Sequence, residues 1–124
     1  MINAMNFGLI CGRLTKDPVY FENADGSFNV ILNLASKRNF KSGKDHEYQS
    51  DFIEFRGFIP KGTANKGVYG YLGTGDKVLI QYTMRSVVSE KKKEKTYYQS
   101  CFIEGVQILE GRTVRENRRA EKNA

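Results

Sequence analysis

The chain is poor in the residues that usually carry catalysis and metal binding. It has one histidine, His46, set in a polar stretch between Asp45 and Glu47, where it reads as a solvated side chain rather than a ligand or base. No pair of cysteines or histidines has the spacing of a metal site. Twelve glycines are present, yet the richest stretch, 60–75, contains neither G-x-G-x-x-G nor a Gly-Lys-Ser/Thr ending, so it is no phosphate loop. The 14 carboxylates form no recognisable acid–base pair. These absences predict no catalytic site, no metal, no cofactor and no enzymatic activity. No apolar run approaches the ~20 residues of a membrane span, and the N-terminus lacks a charged region followed by an apolar stretch. A soluble, intracellular, cytoplasmic protein is therefore expected. The two cysteines, Cys11 and Cys101, each lie in an apolar run and read as buried reduced thiols. A disulfide would require their strands to be neighbours.

What is present is an ordinary globular balance with a basic surplus. In 124 residues, 40% are hydrophobic and 27% charged, enough for one domain with its own core. Twenty Lys and Arg against 14 Asp and Glu leave a net charge of +6, which points to a polyanionic partner. No internal repeat or linker divides the chain. Residues 1–111 read as the folded domain. Residues 112–124 lack an apolar stripe and read as a short flexible tail, basic through Arg112, Arg115, Arg118, Arg119 and Lys122.

Helical signals are scarce, and short β-rich runs separated by turns recur. Residues 7–14 make the first, ended by Pro18, which cannot donate to a ladder. Gly12 within it predicts a bulge or tight bend. Tyr20 and Phe21 extend pairing briefly before the turn at Asn23-Ala24-Asp25-Gly26. Residues 28–37 follow, with Phe28, Val30, Leu32 and Leu34 on one face and Asn29, Ile31 and Asn33 on the other. A polar loop, 41–47, leads to the third run, 50–59. The glycine-rich 60–75 permits at most a short, poor helix around 64–72. Runs 77–88 and 97–109, joined by a charged hairpin tip at 90–95, complete the set. Five strands with one degraded helix between the third and fourth predict an all-β, five-stranded Greek-key barrel.

The third run has two unlike faces. Ile53, Phe55, Gly57 and Ile59 form an apolar set suited to the core. The opposite set is Phe52, Glu54, Arg56 and Phe58. Two rings alternating with charges on a non-core face suit a stacking platform, because every base offers a π-face to an aromatic ring; a subunit contact or a covering loop would also account for them. Two further segments put rings beside positive charge. One is Lys37, Arg38, Phe40 and Lys41, with Lys44 nearby. The other is Lys91, Lys92, Lys93 and Lys95, with Tyr97 and Tyr98. Lys and Arg that meet phosphates release counterions, giving salt-dependent affinity. The candidate nucleic-acid-binding set is Arg13, Lys37, Arg38, Phe40, Lys41, Phe52, Arg56, Phe58, Arg85, Lys91, Lys92, Lys93 and Tyr97.

Residues 5–111 resemble the bacterial and phage single-stranded-DNA-binding protein family, whose domain is an oligonucleotide-binding (OB) fold. Leu9-Ile10-Cys11-Gly12-Arg13-Leu14-Thr15-Lys16-Asp17-Pro18 is similar to its opening V-G-R-L-T-x-D-P motif. Residues 29–40 resemble its second strand, which ends in an aromatic residue, here Phe40. Ser50-Asp51-Phe52-Ile53-Glu54-Phe55 matches its third strand, which carries an acidic–aromatic pair, and Tyr71-Leu72 with Gly75-Asp76-Lys77-Val78 resembles its step into strand four. Gln107-Ile108-Leu109 closes the domain similarly. The resemblance implies base stacking by Phe40, Phe52 and Phe58, where the family often has tryptophan at the first two. It also implies a homo-oligomer, with a tetramer favoured over a dimer. Two departures stand out: the glycine-eroded helix, and a basic tail where many members have a disordered linker ending in an acidic recruitment tip. This compact form suggests a phage, mobile-element or otherwise specialised member. The expected partner is single-stranded DNA, with an oligomeric adaptor for protein partners, or an RNA-binding barrel, as alternatives. Met5 is a candidate natural start.

Overall fold

A computed structural model gives the architecture; it describes residues 4–43, 46–111, 116–117 and 120. Among the described residues, six strands form one sheet: β1 (Gly8–Leu14), β2 (Val19–Glu22), β3 (Phe28–Ser42), β4 (Glu47–Ile59), β5 (Lys77–Lys91) and β6 (Glu94–Ile108). Their order is β1-β5-β6-β4-β3-β2, and an additional β1–β3 pairing closes five of them into a barrel. The expected five-stranded Greek-key barrel is thus present. Its one parallel contact joins β4 to β6, with Phe55 opposite Cys101 and Arg56 opposite Phe102. The brief pairing expected at Tyr20 and Phe21 is β2, a sixth strand on the edge of β3.

Strand alternation builds the core. From β3, Val30, Leu32 and Leu34 point inward and are buried; from β4, Phe55 and Ile59; from β5, Val78 and Ile80; from β1, Leu14. Each such side chain contributes roughly 1.5–3 kcal/mol through the apolar area it removes from water. Phe55 lies at the centre, fully buried, edge-on to Tyr82 with ring centroids 5.4 Å apart.

Closure depends on β1 serving two neighbours. Gly8–Arg13 pairs with Tyr82–Lys77 of β5, and Arg13 and Leu14 pair with Ala35 and Leu34 of β3. Where it passes between them, a Cβ on Gly12 would run into the Ala35 carbonyl oxygen and stand 3.0 Å from Leu34 Cγ. The ladder to β5 runs unbroken through Gly12, so the expected bulge is absent. The glycine serves a close approach of two backbones instead. The outer face of β1 accounts for a second correction. Gly8, Ile10, Gly12 and Leu14 point inward, so Cys11 points outward and is exposed rather than buried. Cys101 is partly buried, and both thiols are free.

The connections follow local chemistry. The β2–β3 turn is braced by the Asp25 carboxylate, which accepts hydrogen bonds from the Ser27 N–H (2.9 Å) and hydroxyl (2.6 Å), and those bonds hold Asp25 below the usual carboxylate range. Between β4 and β5 the chain makes a 3-10 segment, Ala64–Tyr71, interrupted by positive φ at Asn65, Lys66 and Gly67, which is the degraded helix expected from the glycines. The β5–β6 tip is tighter than the charged segment 90–95 implied. Only Lys92 and Lys93 form the turn, at φ 51° and 67°, and the strands reach it through the oppositely charged pairs Glu90–Lys95 and Lys91–Glu94.

Candidate nucleic-acid interface

The register of β2, β3, β4 and β6 defines one outer face of the barrel. On β4 the residues pointing away from the core are Tyr48, Ser50, Phe52, Glu54, Arg56 and Phe58, since the intervening Phe55 and Ile59 are buried. Their β3 partners are Lys41, Lys37, Ala35, Asn33, Ile31 and Asn29 in the same order. Phe52 is 75% exposed and Phe58 57%. Beside β4, the parallel pairing sets Phe102 next to Arg56, and antiparallel pairing sets Thr83 next to Phe102. The rings thus stand on a rigid sheet, held outward because their neighbours in sequence are locked into the core.

The candidate cations are held in two ways. The lysines stand over rings: Lys37 Nζ lies 4.6 Å and Lys41 Nζ 5.5 Å from the Tyr48 ring centroid. Such contacts are electrostatic attractions to the ring face and leave the ammonium open to a phosphate. All four arginines expected to bind instead meet carboxylates. Arg13 pairs with Glu110 (3.0 Å), Arg38 with Asp51 (2.7 Å), Arg56 with Glu54 (3.4 Å) and Arg85 with Glu104 (3.7 Å). Asp51 accepts from both Nε and a terminal nitrogen of Arg38, which lowers its pKa and raises that of Arg38. Arg85 also lies over the Phe102 ring at 4.6 Å. The pairs of Arg38, Arg56 and Arg85 are solvent-exposed and weak, so a phosphate can exchange for the carboxylate at small cost, whereas the Glu110 side chain that holds Arg13 is only 14% exposed.

The candidate residues do not all share the face. Phe52, Arg56, Phe58, Lys37 and Lys41 do. Phe40 is 55% exposed and sits in the register break between Lys37 and Lys41, where strand alternation no longer assigns a side. Arg38 follows the alternation of Ser36 and Leu34, on the side continuous with the core, where Asp51 meets it. Arg13 reaches away from the rings to Glu110 and the Gly75 carbonyl. Lys91, Lys92 and Lys93 occupy the exposed tip of the long β5–β6 ribbon. On that ribbon Arg85, Val87 and Tyr98 share the outer face with Thr83 and Phe102. Tyr97 pairs with Val88 on the opposite face. Lys44 and the tail residues Arg112, Arg115, Arg118, Arg119 and Lys122 lie outside the described residues.

Three further rings, Phe21, Tyr48 and Phe102, stand on this surface outside the candidate set. Tyr48 carried a signal, since it continues the Phe52–Phe58 alternation by two steps. Phe102 did not, because its side depends on a parallel pairing that no local pattern reports. Among the described residues no cluster of three His, Cys, Asp or Glu could hold a metal, and no helix is long and apolar enough to cross a membrane.

A closed five-stranded barrel with rings and cations on one face defines an OB-fold of the nucleic-acid-binding kind. Residues 5–109 match the model of the single-strand binding protein family, and the chain belongs to that family. No curated protein matches the chain. Among solved structures it is similar to a deletion variant of the single-stranded DNA binding protein from Thermus aquaticus. That match has a TM-score of 0.65 and 22% identity, over 86% of this chain and 51% of the other. The chain spans about half the length of that protein, and the likeness is one of fold.

Proposed function

We propose that this protein binds single-stranded DNA without sequence preference, coating and protecting strands exposed in replication, recombination or repair, with no catalytic step. The observation that carries the reading is the exposure of Phe52 and Phe58 beside Arg56 on a strand whose alternate residues form the core. Exposed phenyl rings on a sheet are costly in water and useful against bases. Stacking there contributes about 1–3 kcal/mol per base. Lys37, Lys41, Lys91, Lys92 and Lys93 supply phosphate contacts, and Phe40 a further ring at the strand end. The binding unit is the barrel, and the cytoplasm, whether at a nucleoid or in a phage host, is where such strands occur. A single-strand nuclease digest tests this: oligothymidine should be protected by the parent protein and left open by the Phe52→Ala/Phe58→Ala double variant. Equal protection by both would refute the platform.

Self-association accompanies this reading. Beyond Cys11, whose carbonyl accepts from the Ser36 hydroxyl (3.0 Å), the outer edge of Gly8–Ile10 has no strand neighbour among the described residues. Exposed Leu9 and Phe7 flank it. An open, apolar strand edge of this kind pairs readily with a second copy. The reading includes a homo-oligomer, a tetramer ahead of a dimer, and sedimentation of a Leu9→Lys variant should show it dissociated.

A further inference from the structure

The outer face does not end at β3. Phe21 on β2 pairs with Asn29 of β3, and Asn29 pairs with Phe58 of β4, so the two rings flank one asparagine in a row perpendicular to the strands. Two inter-strand spacings of about 4.8 Å separate their backbones. Phe21 is 53% exposed, nearly as open as Phe58.

Its outward direction is forced from behind. Tyr20, the preceding residue, points into the barrel. There its hydroxyl donates to the Tyr69 carbonyl at 2.9 Å, and its ring meets Phe28 edge-on at 6.4 Å. Lys66 Nζ covers that ring at 4.9 Å. With Tyr20 fixed inward, strand alternation holds Phe21 outward. The support is braced as well. The Asn29 amide donates to Asn23 Oδ1 (3.2 Å), and the Asn23 amide donates to the Ser27 hydroxyl (3.0 Å), tying β3 to the turn that carries β2. Below the row, Val19 and Ile31 form a paired apolar floor leading to Arg56.

We propose that Phe21 is a further base-stacking residue, so that a bound single strand leaves the line of β4 at Phe58 and crosses Asn29 to the edge strand β2. This rests on the single-strand-binding reading above. It adds a direction to it: the site wraps across the barrel rather than ending on β4.

Because the chain contains no tryptophan, Phe21→Trp and Phe52→Trp each introduce a lone indole, excited apart from the seven tyrosines. Titration with oligothymidine should quench both, because a stacked base quenches indole emission. Phe21→Ala should weaken binding about five- to tenfold, the loss of one stacked base, while its unfolding midpoint stays at that of the parent. Quenching of Phe52→Trp alone, with Phe21→Ala binding as the parent does, would overturn the crossing path and leave the platform intact. A change in sedimentation of Phe21→Ala without a change in affinity would overturn it too, by giving the ring to a subunit contact. If neither tryptophan is quenched, the stacking platform itself falls, and Phe21 with it.

Discussion

Phe52 and Phe55 stand three residues apart on the same strand and face opposite ways, so truncating each should injure a different property. Phe55 is 0% exposed, surrounded by Leu32, Ile80 and the Tyr82 ring. Phe55→Ala removes a ring from a packed interior and leaves a cavity, at a cost of about 3–5 kcal/mol. At roughly 3–6 °C per kcal/mol for a domain of this size, the melting midpoint should drop by about 10–25 °C. Phe52 buries little, and Phe52→Ala should change stability by less than about 0.5 kcal/mol. Urea titration of both variants reads the difference directly, with the m-value unchanged. Affinity should reverse the order: Phe52→Ala loses about 1–3 kcal/mol towards oligothymidine, while the milder Phe55→Leu retains parent affinity. Equal destabilisation by Phe52→Ala and Phe55→Ala would show that the outer face is buried against something, and would refute the assignment of the two faces.

The arginine–carboxylate pairs should compete with phosphates. Glu54→Gln frees Arg56 and should tighten single-strand binding, whereas Arg56→Gln should lower the salt slope by about 0.7, measured by anisotropy across a salt series. The phenol of Tyr69 is pushed up to about 12, first by burial and then by Tyr20. Folded Tyr69 thus stays protonated where the unfolded chain ionises near pH 10. Stability should fall by about 1.4 kcal/mol per unit between pH 10 and 12, and this part of the fall should vanish in Tyr69→Phe, followed by denaturant melts. Burial raises the Cys101 thiol, so a thiol reagent at neutral pH should label exposed Cys11 first and Cys101 slowly, as mass spectrometry of the two peptides would show. Gly12→Ala should disrupt barrel closure by about 2 kcal/mol or more, since its methyl meets the backbone of Ala35 rather than a side chain that can turn away.

The parts of the fold legible in the sequence were those with local periodicity. Val30, Leu32 and Leu34 share one face of their run, as Phe55 and Ile59 share one face of theirs, and a two-residue period has one structural meaning on a half-buried sheet. The glycines of 60–75 similarly foretold a broken helix. Features set by long-range pairing were not legible. Gly12 reads as a bulge locally, yet its requirement comes from Ala35 on another strand. Cys11 sits in an apolar run, but the run alternates and Cys11 falls on the outer side. The ribbon tip reads as loop because it is all charge, whereas Glu90–Lys95 and Lys91–Glu94 are cross-strand pairs that carry the ladder to the turn. For the interface, the β4 rings were visible from alternation alone. Phe21 and Phe102 belong to the same face only through β2–β3 and β4–β6 registers, which no single segment encodes.

Single-strand binding by the outer face is tested most directly by equilibrium binding of the parent protein to labelled oligothymidine and to a duplex of equal length across a salt series. The parent should bind the single strand tightly with a negative salt slope and the duplex weakly, and should lose the single-strand preference when Phe40, Phe52 and Phe58 become alanine. Equal affinity for both forms, or a triple variant that still discriminates as the parent does, would contradict it.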